Sequence, residues 1–390
     1  MSKRYSIFLC ILFCAFIGVF TVAHLALPDR EFSENENRYL EQMPKPVFTG
    51  PTANFFSGEF MSDFETYVTD QFPLRDAFMT VKAACELAVG KTVNNDVYFG
   101  ENDTLFAGVA NPGEETIDKN LSYVDTLAGK TDIPVYFSLV PNKLNVISDL
   151  LSNPPVAQLF AEDKLALSVN YLGSDLWAKA EALSNANWID MMPIFQSHAD
   201  EGLFYRTDHH WNSLGAYYGY VALMEGMGIT PVPLDEYEKT TVSTEFLGTT
   251  YSSSGAGWIT PDNIDIYVPE EGVNVTVYPT GKPEEGALYN EEKLSVKDKY
   301  SYFMGGNTPL AVIKTEHTDA PKILVVRDSY SDSLAPFLAQ DYAEVHLIDL
   351  RYYKMSPALY AAQYGIDQAL VLYSNANFAT DQNLFVMGVS

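Results

Sequence analysis

Between Lys322 and Leu350 the chain reads strand, tight turn, helix, strand. Lys322-Ile323-Leu324-Val325-Val326 is a short apolar run of the type buried on both faces of a sheet. Arg327-Asp328-Ser329-Tyr330-Ser331-Asp332-Ser333 is a hydroxyl-rich turn, 334–340 reads as helix and 344–350 as the next strand. Such a unit closes right-handed and parallel by default. Pro134-Val135-Tyr136-Phe137-Ser138-Leu139-Val140 is apolar on both parities and predicts a second buried strand. It ends at Pro141-Asn142-Lys143, so Lys143 falls at a strand's carboxyl end, where ligands gather in open α/β sheets. Further strands are expected at 97–99, 104–106, 188–191 and 368–373, and helices at 117–127 and 161–182. The pattern is that of an α/β fold with a mainly parallel sheet.

A chain of 390 residues, 47% apolar and 13% aromatic, has material for a substantial core. Its 51 acidic against 24 basic residues give a net charge of −27, which excludes nucleic acid as a default partner. Cys10 and Cys14 lie in the first apolar run and Cys85 stands alone beyond it, so no disulfide framework is possible.

The start of the chain carries the localisation signal. Met1-Ser2-Lys3-Arg4 is basic, and residues 5–27 then run without an acidic or basic residue apart from His24. That length suffices to cross a bilayer, with the basic flank inside. A cleaved signal peptide is the rival, but Ala23-His24-Leu25-Ala26 is a poor small-x-small site. The expected layout is a cytoplasmic tail at 1–4, a transmembrane anchor at 5–27, a stalk with amphipathic helices at 28–95, and an extracytoplasmic α/β domain at 96–390. Phe55, Phe56, Phe60, Phe64, Tyr67 and Phe72 recur at near-helical spacing up to Pro73, which predicts a helix face packed on the main domain. A second helix is expected at 75–89. From about 235 to 310 Gly, Ser, Thr and Tyr dominate, which reads as a β-rich insertion or lid, with 248–255 as a mobile loop.

Tyr205-Arg206-Thr207-Asp208-His209-His210-Trp211-Asn212-Ser213 concentrates two of the six histidines beside a carboxylate. Ser213 can cap a helix whose apolar positions are Leu214, Tyr217, Tyr218 and Val221. The histidine pair then sits on a loop before a helix N-terminus. Ser329, just after a buried strand, is placed to act as a nucleophile if a base reaches it. His210 can be that base, with Asp208 fixing its tautomer. Each residue also has a plainer role open to it. Ser329 can cap the next helix, His209 can be a packed neighbour, and Trp211 suits core as well as a sugar platform. Asn307, after Gly305-Gly306, fits a turn. Lys143 and Arg351 fit surface charges as well as substrate ligands. Asp208, His209 and His210 could ligate zinc with His317 or His346, but neither distant histidine has metal-type spacing, so no metal and no cofactor is assigned.

Asp208-His209-His210-Trp211 resembles the name motif of the DHHW protein family, which is related to the alginate O-acetyltransferase proteins with their SGNH-hydrolase-like domain. Ser33-Glu34-Asn35-Glu36-Asn37-Arg38, Asp70-Gln71-Phe72-Pro73-Leu74-Arg75, Gly305-Gly306-Asn307 and Val326-Arg327-Asp328-Ser329-Tyr330 are similar to further family blocks. The resemblance implies an SGNH-like three-layer sandwich and a Ser-His-Asp triad of Ser329, His210 and Asp208. It implies Asn307 as an oxyanion donor. Gly306, His209, Lys143 and Arg351 are the further candidate oxyanion or substrate-binding residues. The usual Gly-Asp-Ser is here Arg327-Asp328-Ser329, a departure that bears on oxyanion geometry. The implied activity is an O-acetyltransferase or O-acetylesterase on a cell-envelope polysaccharide, supplied by a membrane-bound O-acyltransferase partner. The alternative is a non-catalytic protein on the same fold that binds glycan or assembles a complex, and Arg327 is its support.

Overall fold

The computed structural model describes residues 3–50, 52, 54–108, 113–147 and 175–389. Internal contacts gather the chain into two compact units, 1–95 with 252–259, and 96–251 with 260–390. The helix expected over 161–182 lies outside the described residues up to 174; of the remainder, Leu176–Glu181 is helical.

In the first unit, α1 (Lys3–Ala26) is 24 residues long and buries no side chain. At 1.5 Å per residue it extends about 36 Å, and among the described residues it is the one helix long and apolar enough to cross a membrane. Two shorter helices follow, α2 (Glu59–Asp70) and α3 (Arg75–Ala88). Pro73 lies between them, where its ring and missing N–H cannot continue a helix. The aromatic stripe expected to pack on the main domain has ring partners inside its own unit. Phe60 stacks on Phe64 at 6.2 Å, and Phe72 on Phe20 of α1 at 5.1 Å. The polar stretch after α1 is tied down by ion pairs. Arg38 donates to both oxygens of Asp70, at 2.8 and 2.5 Å, and Arg75 pairs with Glu36.

The second unit is built on one eight-stranded sheet. Its strands are β1 (Val135–Val140), β2 (Asn187–Ile189), β3 (Val273–Val277), β4 (Glu284–Gly286), β5 (Leu310–Thr315), β6 (Lys322–Arg327), β7 (Glu344–Ile348) and β8 (Gln368–Ser374). Their spatial order is β4-β3-β5-β7-β6-β8-β1-β2. The five strands from β7 to β2 run parallel, and β5, β3 and β4 add an antiparallel edge. The stretch expected as a β-rich insertion therefore divides. Thr240–Phe246 and Asp262–Ile266 form a separate ribbon, whereas β3 and β4 extend the main sheet. Val275 is buried in the core, Val273 and Val277 are partly covered and Asn274 is exposed, so this edge needs only one buried face.

Strand alternation sends successive side chains to opposite faces. Ile323, Val325, Val345, Leu347, Leu370 and Leu372 enter one core, with α6 (Ser213–Gly226) and α8 (Tyr330–Leu338) packed over them. Leu324, Val326, Phe137, Leu139, Val371 and Tyr373 enter the other, under α4 (Glu114–Gly129), α9 (Pro357–Tyr364) and α10 (Asn375–Thr380). On α4 the buried Ile117, Leu121, Val124 and Leu127 recur at helical spacing. The result is the expected three-layer α/β sandwich. Two shorter helices matter below: α5 (Lys143–Ile147), straight after β1, and α7 (Thr249–Ser254).

Two local expectations change. Asn212, not Ser213, caps α6: its backbone is extended and its amide oxygen accepts from the N–H groups of Leu214 and Gly215. The Ser213 hydroxyl donates to the Asp265 carbonyl instead. The α6 face expected from Leu214, Tyr218 and Val221 is only partly covered. The helix is apolar all round, and its buried side runs through Ala216, Tyr217, Tyr220, Leu223 and Met224. Second, α8 begins at Tyr330, so Ser331 and Ser333 are helical residues and the turn after β6 is only Asp328-Ser329.

Candidate functional site

Central strand β6, flanked by β7 and β8, delivers Ser329 to the sheet's carboxyl edge. Asp328 fixes the turn. Its Oδ1 accepts from the Tyr330 N–H (3.1 Å), and its Oδ2 accepts from the Ser374 N–H and from Asn377 Nδ2, both at 2.8 Å. The Ser329 hydroxyl makes no capping bond to α8.

The histidine motif forms the tip of a loop closed by an antiparallel bridge between Phe204 and Trp211. Asp262 anchors it, accepting from Arg206 N–H (3.2 Å) and Nε (3.1 Å) and from Thr207 N–H (2.8 Å) and Oγ1 (2.7 Å). Trp211 is fully buried, and its Nε1 donates to the Tyr330 carbonyl (3.0 Å) and to Ser333 Oγ (2.9 Å), which ties the loop to the first turn of α8. It is therefore core and not an exposed sugar platform. Gly219 admits it: a Cβ there would lie 2.6 Å from the Trp211 ring.

These anchors bring three separated polar groups into line. His210 Nδ1 lies 2.6 Å from Asp208 Oδ1, and His210 Nε2 lies 2.7 Å from Ser329 Oγ. A neutral ring that donates from Nδ1 must accept at Nε2, so the serine proton points at the imidazole. Asp208 Oδ1 also accepts the His210 N–H (3.0 Å), and Oδ2 accepts the N–H (2.7 Å) and hydroxyl (2.8 Å) of Thr249. Burial pushes the Asp208 carboxyl up, but the imidazoles of His209 and His210 and the bonds from His210 outweigh it and hold it well below the usual carboxylate range. The carboxylate is ionised and the ring is oriented. Tyr300 stacks on His210, with centroids 3.7 Å apart and planes 8° from parallel, and its hydroxyl donates to the Ser329 carbonyl (3.1 Å). The arrangement can take a proton from a hydroxyl at one defined atom.

The segment around α7, expected as a mobile loop, is the support of Asp208. A Cβ on Gly248 would meet Asp208 Cβ and Oδ2 at 2.3 Å, so only glycine lets this chain pass so close. His209 is not in the line. Its Nδ1 lies 2.7 Å from Thr249 Oγ1, and its side chain stays 38% exposed. Asp208, His209 and His210 bring three ligand-type atoms within 4.8 Å of one another. Both oxygens of Asp208 are already taken by four hydrogen-bond donors, a poor fit to a metal ligand. His346 is no partner for this trio, being buried between Tyr360 and Glu344.

The outer residues separate by environment. The structure corrects the picture of Lys143 as a surface charge or substrate ligand. It is buried, and its ammonium donates to the carbonyls of Leu105 (2.8 Å), Asp208 (2.8 Å) and Arg206 (3.3 Å). Burial pushes it down to about 8. Arg351 clamps Asp349 through Nε and a terminal nitrogen, at 3.0 and 2.6 Å. Arg351 and Arg327 both reach Asn307 Oδ1, at 3.2 and 3.4 Å, so the exposed Asn307 turns its Nδ2 donors away from them. Gly306 precedes it with φ +99°, a backbone conformation that favours glycine. Arg327 itself is fully buried, 2.9 Å from Asp332 in the first turn of α8. Sequence reading missed Thr249, Asp262, Tyr300 and Gly248. All but Tyr300 lie in the stretch between 235 and 265 that has no periodic signal, and Tyr300 stands in a loop.

The sequence pattern of the DHHW protein family matches residues 168–348. A DHHW family protein from Eubacterium siraeum has a similar structure, with a TM-score of 0.61 at 22% identity over 75% of this chain and 95% of that one. Bacillus cereus PatB1, solved with a sulfonyl adduct, gives a TM-score of 0.60 at 21% identity over 75% of this chain and 99% of its own. For the O-acetyltransferase domain of Pseudomonas putida AlgJ the values are 0.44 and 17%, over 73% and 92%. No curated protein matches the sequence. At the identities of the first two, the likeness is one of fold, a three-layer α/β sandwich.

Proposed function

We propose, on the premise that residues 168–348 belong to the DHHW protein family, that this protein moves or removes an O-acyl group, most simply acetyl, on a cell-envelope polysaccharide. The observation that carries the reading is the line from Ser329 Oγ through His210 to Asp208, with spacings of 2.7 and 2.6 Å. Ser329 Oγ attacks the acyl carbon while His210 Nε2 takes the hydroxyl proton. The oxyanion is met by the positive N-terminus of α8 and by Nδ2 of Asn307. Collapse expels the donor alcohol, which receives the proton from His210 and leaves acyl-Ser329. A sugar hydroxyl or water then gives its proton to His210, bonds to the acyl carbon and releases Ser329.

The apolar α1, which opens on the basic pair Lys3 and Arg4, supports a single-pass anchor with the α/β unit outside the cytoplasm. That placement suits an envelope substrate, and an acyl donor delivered by a membrane-bound O-acyltransferase partner. Arg327 favours a second reading, a non-catalytic glycan-binding or assembly protein, because glycine is usual there. Its side chain is fully buried against Asp332 and so takes up no open space before the Ser329 hydroxyl, which weakens that reading. The test uses the full chain in detergent micelles with p-nitrophenyl acetate. Wild type should release p-nitrophenol at least about 10³-fold faster than Ser329→Ala. Equal rates would sink the enzymatic reading.

A further inference from the structure

A cavity of about 280 Å³ is lined by chain neighbours of Ser329 and His210. His209 and Tyr330, the chain neighbours of His210 and Ser329, form one wall, and Phe106, Asn142, Thr250 and Asn377 stand around the rest. At about 30 Å³ per liquid water the space equals roughly nine waters. It sits at the small end of ligand pockets, about 300–1,000 Å³, which suits one ring and not an extended chain.

Two residues of the wall each carry a buried polar atom without a hydrogen-bond partner among the described residues. Thr250 is 3% exposed, and its hydroxyl has no hydrogen-bond partner among the described residues. Asn142 Nδ2 is buried and likewise lacks one, while Asn142 Oδ1 accepts the Asn145 N–H at 3.0 Å. That bond fixes the amide, so the orphan end is a donor. A buried polar atom left unmatched costs about 1–3 kcal/mol, and a hydroxylated guest would remove that cost at both positions.

The wall also says what charge the guest carries. Lys143 is the one lysine or arginine among the described lining residues, and its three N–H donors already go to three carbonyls. No aspartate or glutamate is among them. A carboxylate entering here would be desolvated with no free cation to meet it, which rejects anions more strongly than any contact selects them. A neutral polyol meets no such penalty. Its hydroxyls can accept from Asn142 and pair with Thr250, and its C–H face can lie against Phe106.

We infer that this cavity is the acceptor subsite, and that the acceptor is an uncharged sugar residue, not a uronate. The inference rests on the reading of Ser329 as nucleophile. The acceptor hydroxyl gives its proton to His210 Nε2 as its oxygen bonds to the acyl carbon. The bond from that carbon to Ser329 Oγ breaks, and Oγ takes the proton back. The products are an O-acylated sugar and free Ser329.

The test supplies full-length protein in detergent with p-nitrophenyl acetate and, at equal concentrations, the methyl glycosides of glucose, mannose, N-acetylglucosamine and glucuronic acid. Mass spectrometry counts acetylated glycoside. At least one neutral glycoside should be acetylated tenfold faster than the glucuronide. Asn142→Ala and Thr250→Val should each lower the ratio of transfer to hydrolysis at least fivefold, and either variant suffices if the other fails to fold. Acetylation of the glucuronide at an equal rate, or of no neutral glycoside, overturns the inference. If Ser329→Ala cleaves ester as fast as wild type, the nucleophile reading has failed separately. Saturation-transfer NMR on Ser329→Ala then decides for the cavity. Neutral glycosides binding in preference to the glucuronide, with the signal lost in Asn142→Ala, upholds it, and any other pattern overturns it.

Discussion

Thr249 grips Asp208 twice, donating to Oδ2 from its backbone N–H at 2.7 Å and from its hydroxyl at 2.8 Å. With its one proton committed there, the hydroxyl can only accept from His209, whose Nδ1 lies 2.7 Å away. Thr249 thus ties the second oxygen of the carboxylate to the first histidine, leaving Oδ1 for His210.

That geometry makes Thr249 a positioning residue. Thr249→Val keeps the backbone bond and removes the hydroxyl bond to a charged acceptor, a contact worth about 1.5–3 kcal/mol. Ester cleavage should lose roughly tenfold or more in kcat with KM little changed, and Thr249→Ser should restore most of it. Gly248→Ala should be worse, because its Cβ would lie 2.3 Å from Asp208. A rise in KM with kcat unchanged would reject the assignment.

Asp208→Asn tests the orienting role directly. An amide in that position can keep the shape while presenting the wrong hydrogen-bond partner to Nδ1 of His210, and such a change costs about 10⁴ in kcat in a Ser-His-Asp enzyme. The thermal midpoint should fall by no more than a few degrees, so that a collapse of folding is distinguishable from a loss of proton transfer.

Much of this was legible in the sequence, and what was not has physical causes. The strands β1, β6, β7 and β8 show as short apolar runs because they are buried on both faces. Asp208, His210 and Ser329 were named from residue chemistry and the resemblance, and folding brings their polar atoms within 2.7 Å. Thr249, Asp262 and Tyr300 were not legible, because a lone hydroxyl, carboxylate or phenol in an aperiodic stretch acquires its partner only through the tertiary path. Lys143 was placed at the correct strand end, but sequence does not tell an ammonium that meets solvent from one enclosed by three carbonyls. Asn212 and Ser213 are both good caps, and only the extended backbone at Asn212 decides between them.

Lys143 predicts a pH effect whose two signs oppose. Its folded value of about 8 lies below the ordinary 10.5. Between those values the unfolded chain holds a proton that the folded chain has released, so stability from this group rises with pH and is lost as pH falls through about 8. The neutral amine, however, has two N–H donors for three carbonyls, one of them that of Asp208. Ester cleavage should therefore decline above about pH 8 while this group does not lower the thermal midpoint. A decline that coincides with unfolding would reject the link. Lys143→Met should strip the ammonium donor from the buried carbonyls of Leu105 and Asp208, while the Arg206 carbonyl keeps the Leu105 N–H at 2.9 Å; at about 1–3 kcal/mol for each group left unsatisfied, the midpoint at pH 7 should fall.

Arg327 and Asp332 form a fully enclosed pair, 2.9 Å apart, beneath the turn that carries Ser329. Among the described residues, Arg327 Nε and one terminal nitrogen have no hydrogen-bond partner, and the close contact to Asp332 Oδ1 is an ion pair without hydrogen-bond alignment. Burial pushes the Asp332 carboxyl up against the pull of Arg327. A pair so poorly satisfied adds little net stability, yet breaking it leaves a charge alone in the core. Arg327→Met should destabilise by about 3–5 kcal/mol, whereas Arg327→Met with Asp332→Leu should recover most of that loss. Denaturant titration of the single and double variants measures the coupling directly. If Asn307 depends on Arg327 for its orientation, the double variant should regain stability but not kcat, because Asn307 Oδ1 would keep only the bond from Arg351 at 3.2 Å. Recovery of both would confine Arg327 to the interior and leave Arg351 as the sole support of Asn307. Recovery of neither would show that the pair, for all its unsatisfied donors, is required for the fold.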